Sequence, residues 1–470
     1  MAIDSEAELL KRDQQIAELL ERNQELEQEI KHLKDLLLKK GAAKGSKKPQ
    51  FKLNYSLDAN RPRSKRGKQA TGRYPQGQKI SQVSLNQSLY PPEVDPQACV
   101  AHRQQFAWRI IEGQAQYVCY TLFTQADGKD LPPVPGVRNS RSEYGIEIIL
   151  TVAFLHYWIG LSLDHVCEVL KFFTKLELSK SQANALLNQL SADWSEEYDT
   201  IATLLTQQLV IYIDETGWKV GGRSCYTWAF SSLMHVLFRC GVGRGKAEAQ
   251  AILGEKFNGI GVTDDYAAYL SLFKEHQLCW AHLLRKAIKL MLEHPEEQQY
   301  GEFLDELCDI YQQAVRFQKD QRLSVGRIER SQQLKAKVVA LCTRAGEKID
   351  TQIMSIHEAT FVRLQNELVN GLAALFVFVV HPAVEPTNNR SERNVRREAE
   401  VRKGGRTSKS EPGAKRRSIL MTVLATLNTR FPKFTLEQLL SEVQGWIKQG
   451  CSIFQLELSE WEKANPPPVS

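Results

Sequence analysis

The sequence predicts an α/β protein whose sheet-forming core is split by a long helical insertion and preceded by a coiled coil and a helical domain. Three observations carry this: runs of strand formers between 207 and 285, a helical pattern over 286–380, and heptads near the start. At 470 residues the chain has length for about three domains. Its 42% hydrophobic and 25% charged content is ordinary globular usage and excludes a mostly disordered or fibrous protein. The longest apolar stretch, Ile146 to Leu163, is interrupted by Glu147 and His156, so no membrane span is expected. No basic n-region followed by an apolar core opens the chain, so no secretory signal is expected. Nine dispersed cysteines without a C-x-x-C pair suggest reduced thiols and a cytoplasmic protein. The net charge of +6 is modest, so its distribution matters more than its sum.

Residues 5–40 lack Gly and Pro. With position a at Leu9, Ile16, Asn23, Ile30 and Leu37, position d holds Arg12, Leu19, Leu26 and Leu33, so seven of nine seam residues are apolar. A coiled coil over 1–40 is predicted, with Asn23 setting register in a parallel dimer; a solvated single helix is the alternative. The next segment, 41–80, has eleven Lys or Arg residues against Asp58. It reads as a flexible basic linker that attracts phosphate backbones, through Lys47, Lys48, Arg61, Arg63, Lys65, Arg66 and Lys68.

Residues 81–140 read as a small β-rich region with strands near Gln104–Ile111 and Ala115–Phe123. Cys99, His102 and Cys119 are its only candidate zinc ligands, one short of the usual four, so zinc is not expected there. Residues 141–206 are helical, with a capped helix starting near Ser179; they form either a DNA reader or a packed linker domain.

The core begins at 207. LVIYID (209–214) is a run of strand formers ending in a carboxylate, followed by SCYTWAF (224–230) and HVLFRC (235–240). A short helix, Lys246 to Leu253, leads to a strand ending at Asp264 and Asp265, and QLCWAHLL (277–284) is a strand or a strand passing into a helix. Three meandering strands, a helix and a strand match the opening of an RNase H-like sheet. Asp214 and Asp264 would then end adjacent strands, where their mutual repulsion is relieved by a bound hard cation such as Mg²⁺. Turn-forming aspartates are the alternative. Successive strand residues face opposite ways, so Asp264 rather than Asp265 is expected to join Asp214. After the helical insertion, Asn389 can N-cap a helix with Glu392 three residues on, a capping-box spacing. Asn388, Glu392 and Arg396 fall four apart on one face. Between His381 and Arg417, eleven Lys or Arg residues face five acidic ones, which suits a site holding both metal and phosphate.

D-E-T-G-W at 214–218, T-D-D-Y-A-A-Y at 263–269, C-W-A-H-L at 279–283 and P-T-N-N-R-S-E-R-N-V-R at 386–396 together resemble the insertion sequence 66 family of bacterial transposases. The resemblance covers 200–445 most strongly. It implies a DDE transposase with an RNase H-like core: 207–285 and 381–430 as the two parts of the core, 286–380 as the insertion, 431–470 as a helical tail. Carried over by position, the catalytic and metal-binding triad is Asp214, Asp264 and Glu392. Two Mg²⁺ ions about 3.5–4 Å apart, with Mn²⁺ an acceptable substitute, would drive cleavage of the transposon ends and joining of the 3′-OH to target DNA. Arg393, Arg396, Arg402 and Lys403 are candidate phosphate contacts. Cys279 and His282, with Asn388 and Asn389, belong to the motifs without an assigned role. The implied partners are transposon-end and target DNA, a homodimer or higher oligomer through the coiled coil, and accessory transposition proteins; the implied location is the bacterial nucleoid. A nuclease without strand transfer, or an inactive or domesticated coiled-coil DNA-binding protein, is the alternative function.

Overall fold

The computed structural model describes residues 79–466, apart from 93, 126–130, 141, 265–268, 270, 322–323 and 347–354. The expected coiled coil and all but the last two residues of the expected basic linker therefore lie outside the described residues.

Two mixed sheets organise the described chain. The smaller has the order β1 (Leu85–Leu89), β3 (Gln114–Thr124), β2 (Val100–Ile111). Its β2–β3 hairpin turns at Glu112 and Gly113, both at positive φ, as a tight hairpin whose turn follows the twist of its strands requires. The strand pairing sets Cys119 opposite Phe106, with its thiol in an apolar cluster of Phe106 and Tyr117, while His102 falls at a bulge between Ala101 and Arg103. Cys99, His102 and Cys119 are thus not gathered into one ligand set.

Four helices follow: α1 (Ile146–Ala153), which runs into a wider π turn at Phe154–Trp158, α2 (Leu163–Thr174), α3 (Lys180–Asp193) and α4 (Ser195–Thr206). Ser179 caps α3 through a reciprocal box with Gln182, where the sequence places it. The apolar stretch at Ile146 is short and broken by its π turn, and among the described residues no helix is long and apolar enough to cross a membrane.

The five-stranded sheet comprises β4 (Val210–Val220), β5 (Arg223–Ser231), β6 (Val236–Val242), then, after α5 (Lys246–Leu253), β7 (Phe257–Thr263) and β8 (Phe273–Leu278). Its order is β6-β5-β4-β7-β8, antiparallel across β6, β5 and β4 and parallel across β4, β7 and β8. The sequence reading ends β4 at Asp214, but the strand runs on to Val220. Glu215, Thr216 and Trp218 keep pairing with β5, and the turn comes only at Gly221 and Gly222, whose positive φ suits glycine.

Helices α6 (Trp280–Glu293), α7 (Gln298–Lys319), α8 (Ser324–Gly346) and α9 (Ile356–Asn370) form the insertion. They share a core with Tyr212, Ile260, Val262 and Leu278, and so cover one face of the sheet. Ile211 and Ile213, which point the other way, join a second core with α1 to α4 and with the last helices, α10 (Asn389–Lys403), α11 (Glu411–Arg430), α12 (Leu436–Gln449) and α13 (Ile453–Ala464). Trp446 and Phe454 are buried in that core, so 436–464 pack as part of the body.

The β6 edge is closed by α11. The backbone N–H groups of Val236, Phe238 and Cys240 donate to Thr426 Oγ1 (3.1 Å), Thr422 Oγ1 (2.9 Å) and Ser418 Oγ (2.9 Å). Four helical residues rise about 6 Å and two strand residues about 6.6 Å, so hydroxyls four apart meet N–H groups two apart. A helix thus takes the place of a sixth strand and satisfies donors that an open edge would expose.

Candidate functional site

Parallel pairing aligns Val210 with Ile260, Ile211 with Gly261 and Tyr212 with Val262. Asp214 and Asp264 each lie two residues beyond the last pair, which brings them to one height and one side of neighbouring strands. On the third strand Leu278 pairs with Thr263, and the Cys279 N–H donates to the Thr263 carbonyl (2.9 Å), so Cys279 stands next in the same row. It is also the N-cap of α6, which turns away at that point.

Helix α10 brings Glu392 to this row, and polar side chains rather than apolar ones dock its first turns. Asn388 Nδ2 donates to the Ile213 carbonyl (2.7 Å), Ser391 Oγ to the Ala229 carbonyl (2.8 Å) and Asn394 Nδ2 to Ser231 Oγ (3.0 Å). Asn388 and Ser391 are fully buried, so each bond is made away from competing water. The capping expected of Asn389 is not what forms: Asn388 precedes the first helical residue, makes no side-chain cap, and gives its amide to β4 instead. The Glu392 carboxylate is therefore free of a capping box. Its Oε2 lies 3.1 Å from Arg285 Nη2, and its Oε1 lies 3.6 Å from His282 Nδ1 and 3.9 Å from Cys279 Sγ.

Electrostatics mark the same place. The carboxyl of Asp214 is pushed up to about 8, first by burial, then by the charges of Glu215, Asp264 and Glu392; the Glu215 N–H, 2.9 Å away, works against this. So crowded a set of acids cannot all ionise unless a cation joins them. Oxygen-only donors suit a hard divalent ion, and the buried Asn388 Oδ1, which has no hydrogen-bond partner, adds an unclaimed oxygen beside Cys279 and β4. The residues present thus fit a hard cation. Burial also pushes the Cys279 thiol up, against the lowering effect of backbone N–H groups from Asn388 and His282.

The other sequence-predicted residues divide. Arg393, Arg396 and Lys403 are exposed on α10, as is Asn389. Arg402 is half-buried and donates to the Gly217 carbonyl (3.0 Å), tying α10 to β4. Lys47, Lys48, Arg61, Arg63, Lys65, Arg66, Lys68 and Asp265 lie outside the described residues. Sequence reasoning missed Arg285 and Glu215. Arg285 follows His282 by three, a helical spacing that could have found it. Glu215 is buried, paired with Arg244 (3.0 Å) and bonded to the Tyr269 hydroxyl, and no spacing links those three.

The family model described as Transposase IS66 family matches residues 141–416. No curated protein matches the chain. The match takes in more than half of the 470 residues, including the helices before the sheet, both aspartates, Cys279, His282 and the whole of α10. The chain belongs to the IS66 family of transposases.

Proposed function

We propose that this transposase cuts the ends of its insertion sequence and joins the freed 3′-OH to target DNA at a site formed by Asp214, Asp264 and Glu392, on an RNase H-like sheet. The observation that carries the reading is the crowding of these carboxylates: two aspartates level on neighbouring parallel strands, a glutamate brought in by α10, and an Asp214 carboxyl pushed up to about 8 by burial and then by the charges of its neighbours. The strand order, three antiparallel strands continued by two parallel ones, supports the RNase H-like assignment.

Asp214, Asp264 and Glu392 would hold the divalent cations. What Mg²⁺ supplies when bound is charge neutralisation at the scissile phosphate and a lowered pKa for the attacking water or hydroxyl. The chain's own contribution is positioning. Asp214 would hold a cation as the carboxylate, its proton released to solvent. Ser391, Asn394 and Asn388 fix where Glu392 starts from. Arg393 and Arg396, exposed beside Glu392, hold DNA phosphates. Residues 41–80 add backbone affinity without sequence preference, and residues 1–40 pair two copies through the Asn23 seam.

The test is incubation of the purified protein with Mg²⁺ and DNA bearing the element's own ends. Cleavage at the ends that exposes a 3′-OH, followed by joining to target DNA, is expected. Cleavage without joining would reduce the protein to a nuclease, and no cleavage at all would overturn the reading.

A further inference from the structure

The three groups around the Glu392 carboxylate have the wrong chemistry for a site that binds only hard cations. We propose that Cys279, His282 and Glu392 form a second binding site, sharing Glu392 with the first, for a borderline-soft divalent cation of the Zn²⁺ type. Among the described residues these are the three potential metal ligands whose donor atoms all lie within 4.8 Å of one another.

The C-x-x-H spacing at the start of α6 sets thiol and imidazole side by side, one as N-cap and one a turn later. Glu392, from α10, closes the third side at 3.6 Å from His282 Nδ1 and 3.9 Å from Cys279 Sγ. A tetrahedral ion with bonds of about 2.0–2.3 Å separates its ligands by about 3.3–3.8 Å, so the three donors need only small side-chain shifts to enclose one. His282 Nδ1 is buried and has no hydrogen-bond partner, a costly state that a metal ion would remove. Arg285 takes Oε2 of Glu392 and leaves Oε1 towards the sulfur and the ring. Asn388 N–H already donates to Cys279 Sγ (3.2 Å), the kind of bond that steadies a coordinating thiolate. Three protein ligands leave a fourth position for water or an anion. Thiolate and imidazole select against Mg²⁺, which prefers oxygen, and in favour of zinc-like ions.

The consequence rests on Glu392 being one of the catalytic carboxylates. An ion held by Cys279 and His282 would keep Glu392 from Asp214 and Asp264, so Zn²⁺ would oppose Mg²⁺-dependent cleavage.

The experiment uses full-length protein, stripped of metal and titrated with Co²⁺ as a spectroscopic probe. Thiolate-to-cobalt charge-transfer absorption and intense tetrahedral d–d bands should appear and saturate, and Zn²⁺ should displace them. Cys279→Ser should abolish the charge-transfer band, His282→Gln should weaken Co²⁺ binding at least tenfold, and Asp214→Asn should leave both signals as they are. His282 is partly exposed, so its substitution tests the site even where Cys279→Ser disturbs the fold. Wild-type protein without these bands, or bands unchanged in both ligand variants, would overturn the proposal. Ligand-dependent bands together with undiminished cleavage in excess Zn²⁺ would uphold the metal site and remove Glu392 from catalysis, so the two readings fail separately.

Discussion

Glu392 and Glu398 lie on the same helix, α10, and each meets an arginine, yet the two environments could hardly differ more. Glu398 is fully buried and takes a two-pronged pair of bonds from Arg417, at 2.7 and 2.8 Å. The Arg417 guanidinium is itself sandwiched near the rings of Trp218 and Tyr157. Every charge there has a fixed partner. Glu392 has a single bond to Arg285, whose side chain is half exposed, and its second oxygen faces a thiol and an imidazole at distances too long for strong hydrogen bonds. Nearby, His282 Nδ1 and Asn388 Oδ1 are buried without partners. A helix that anchors itself with a satisfied ion pair can present a second, under-satisfied carboxylate two turns earlier. Incomplete satisfaction separates the Glu392 carboxylate from that of Glu398.

The largest expected effect would break this comparison on the catalytic side. Asp214→Asn, Asp264→Asn and Glu392→Gln should each lower Mg²⁺-dependent cleavage on the order of a thousandfold or more, about 4 kcal/mol of transition-state stabilisation, while leaving DNA binding nearly unchanged. A gel-based cleavage assay beside a binding titration separates these outcomes. Robust cleavage by all three variants would refute the triad.

On the scaffold side, Arg417→Met strands the Glu398 carboxylate and should cost about 3–5 kcal/mol of stability, read as a lower denaturation midpoint. A variant as stable as wild type would show that Glu398 is no better held than Glu392.

The pH dependence sharpens the contrast. Unfolded, Asp214 loses its proton near 3.8; folded, it keeps it to about 8. The folded chain binds more protons between those values, so this residue's contribution is favourable below about pH 4 and is lost as pH rises to 8, on the order of a few kcal/mol. Thermal melts of metal-free protein should therefore fall from pH 5 to pH 8, and Asp214→Asn should flatten the trend. A wild-type profile that is already flat would mean that the Asp214 carboxylate is neither desolvated nor crowded by its neighbours.

At the β6 edge, Thr422→Val removes the acceptor for the Phe238 N–H at nearly constant shape and should cost about 1–3 kcal/mol in denaturant unfolding, with cleavage per folded molecule unchanged. The smallest effect concerns the arginines. Arg393→Ala and Arg396→Ala should each lessen the log–log salt slope of DNA binding by about one, whereas Arg402→Ala should leave it unchanged and lower stability. Equal slopes for all three would deny α10 a phosphate-contacting face.

Much of this was legible in the linear chain because it depends on local patterning. Strand formers between Gly-rich turns located β5, β6 and the short helix α5; Ser179 announced the start of α3; the four spaced motifs carried the family resemblance. Local signals failed where a residue's partner comes from far away in sequence. Asn389 has the spacing of a cap with Glu392, but Asn388 takes the position before the helix and its amide is claimed by Ile213 across the fold, which moves the start of α10 and releases Glu392. The end of β4 was misread at Asp214 because a carboxylate suits a turn, while pairing with β5 carried the strand to Val220. Arg402 reads as one more cation in a basic run, and its bond to the Gly217 carbonyl has no sequence signal.

Residue types, their periodicity and their motifs by themselves determined that this chain builds an α/β transposase core and which carboxylates it offers. Only the tertiary structure decided what those groups face. Parallel register levelled Asp214 with Asp264, and the docking of α10 turned Glu392 towards Cys279, His282 and Arg285. The physical reason is range: hydrophobic periodicity and capping act over a few residues, whereas desolvation, charge crowding and unpaired polar atoms exist only once distant segments are packed together.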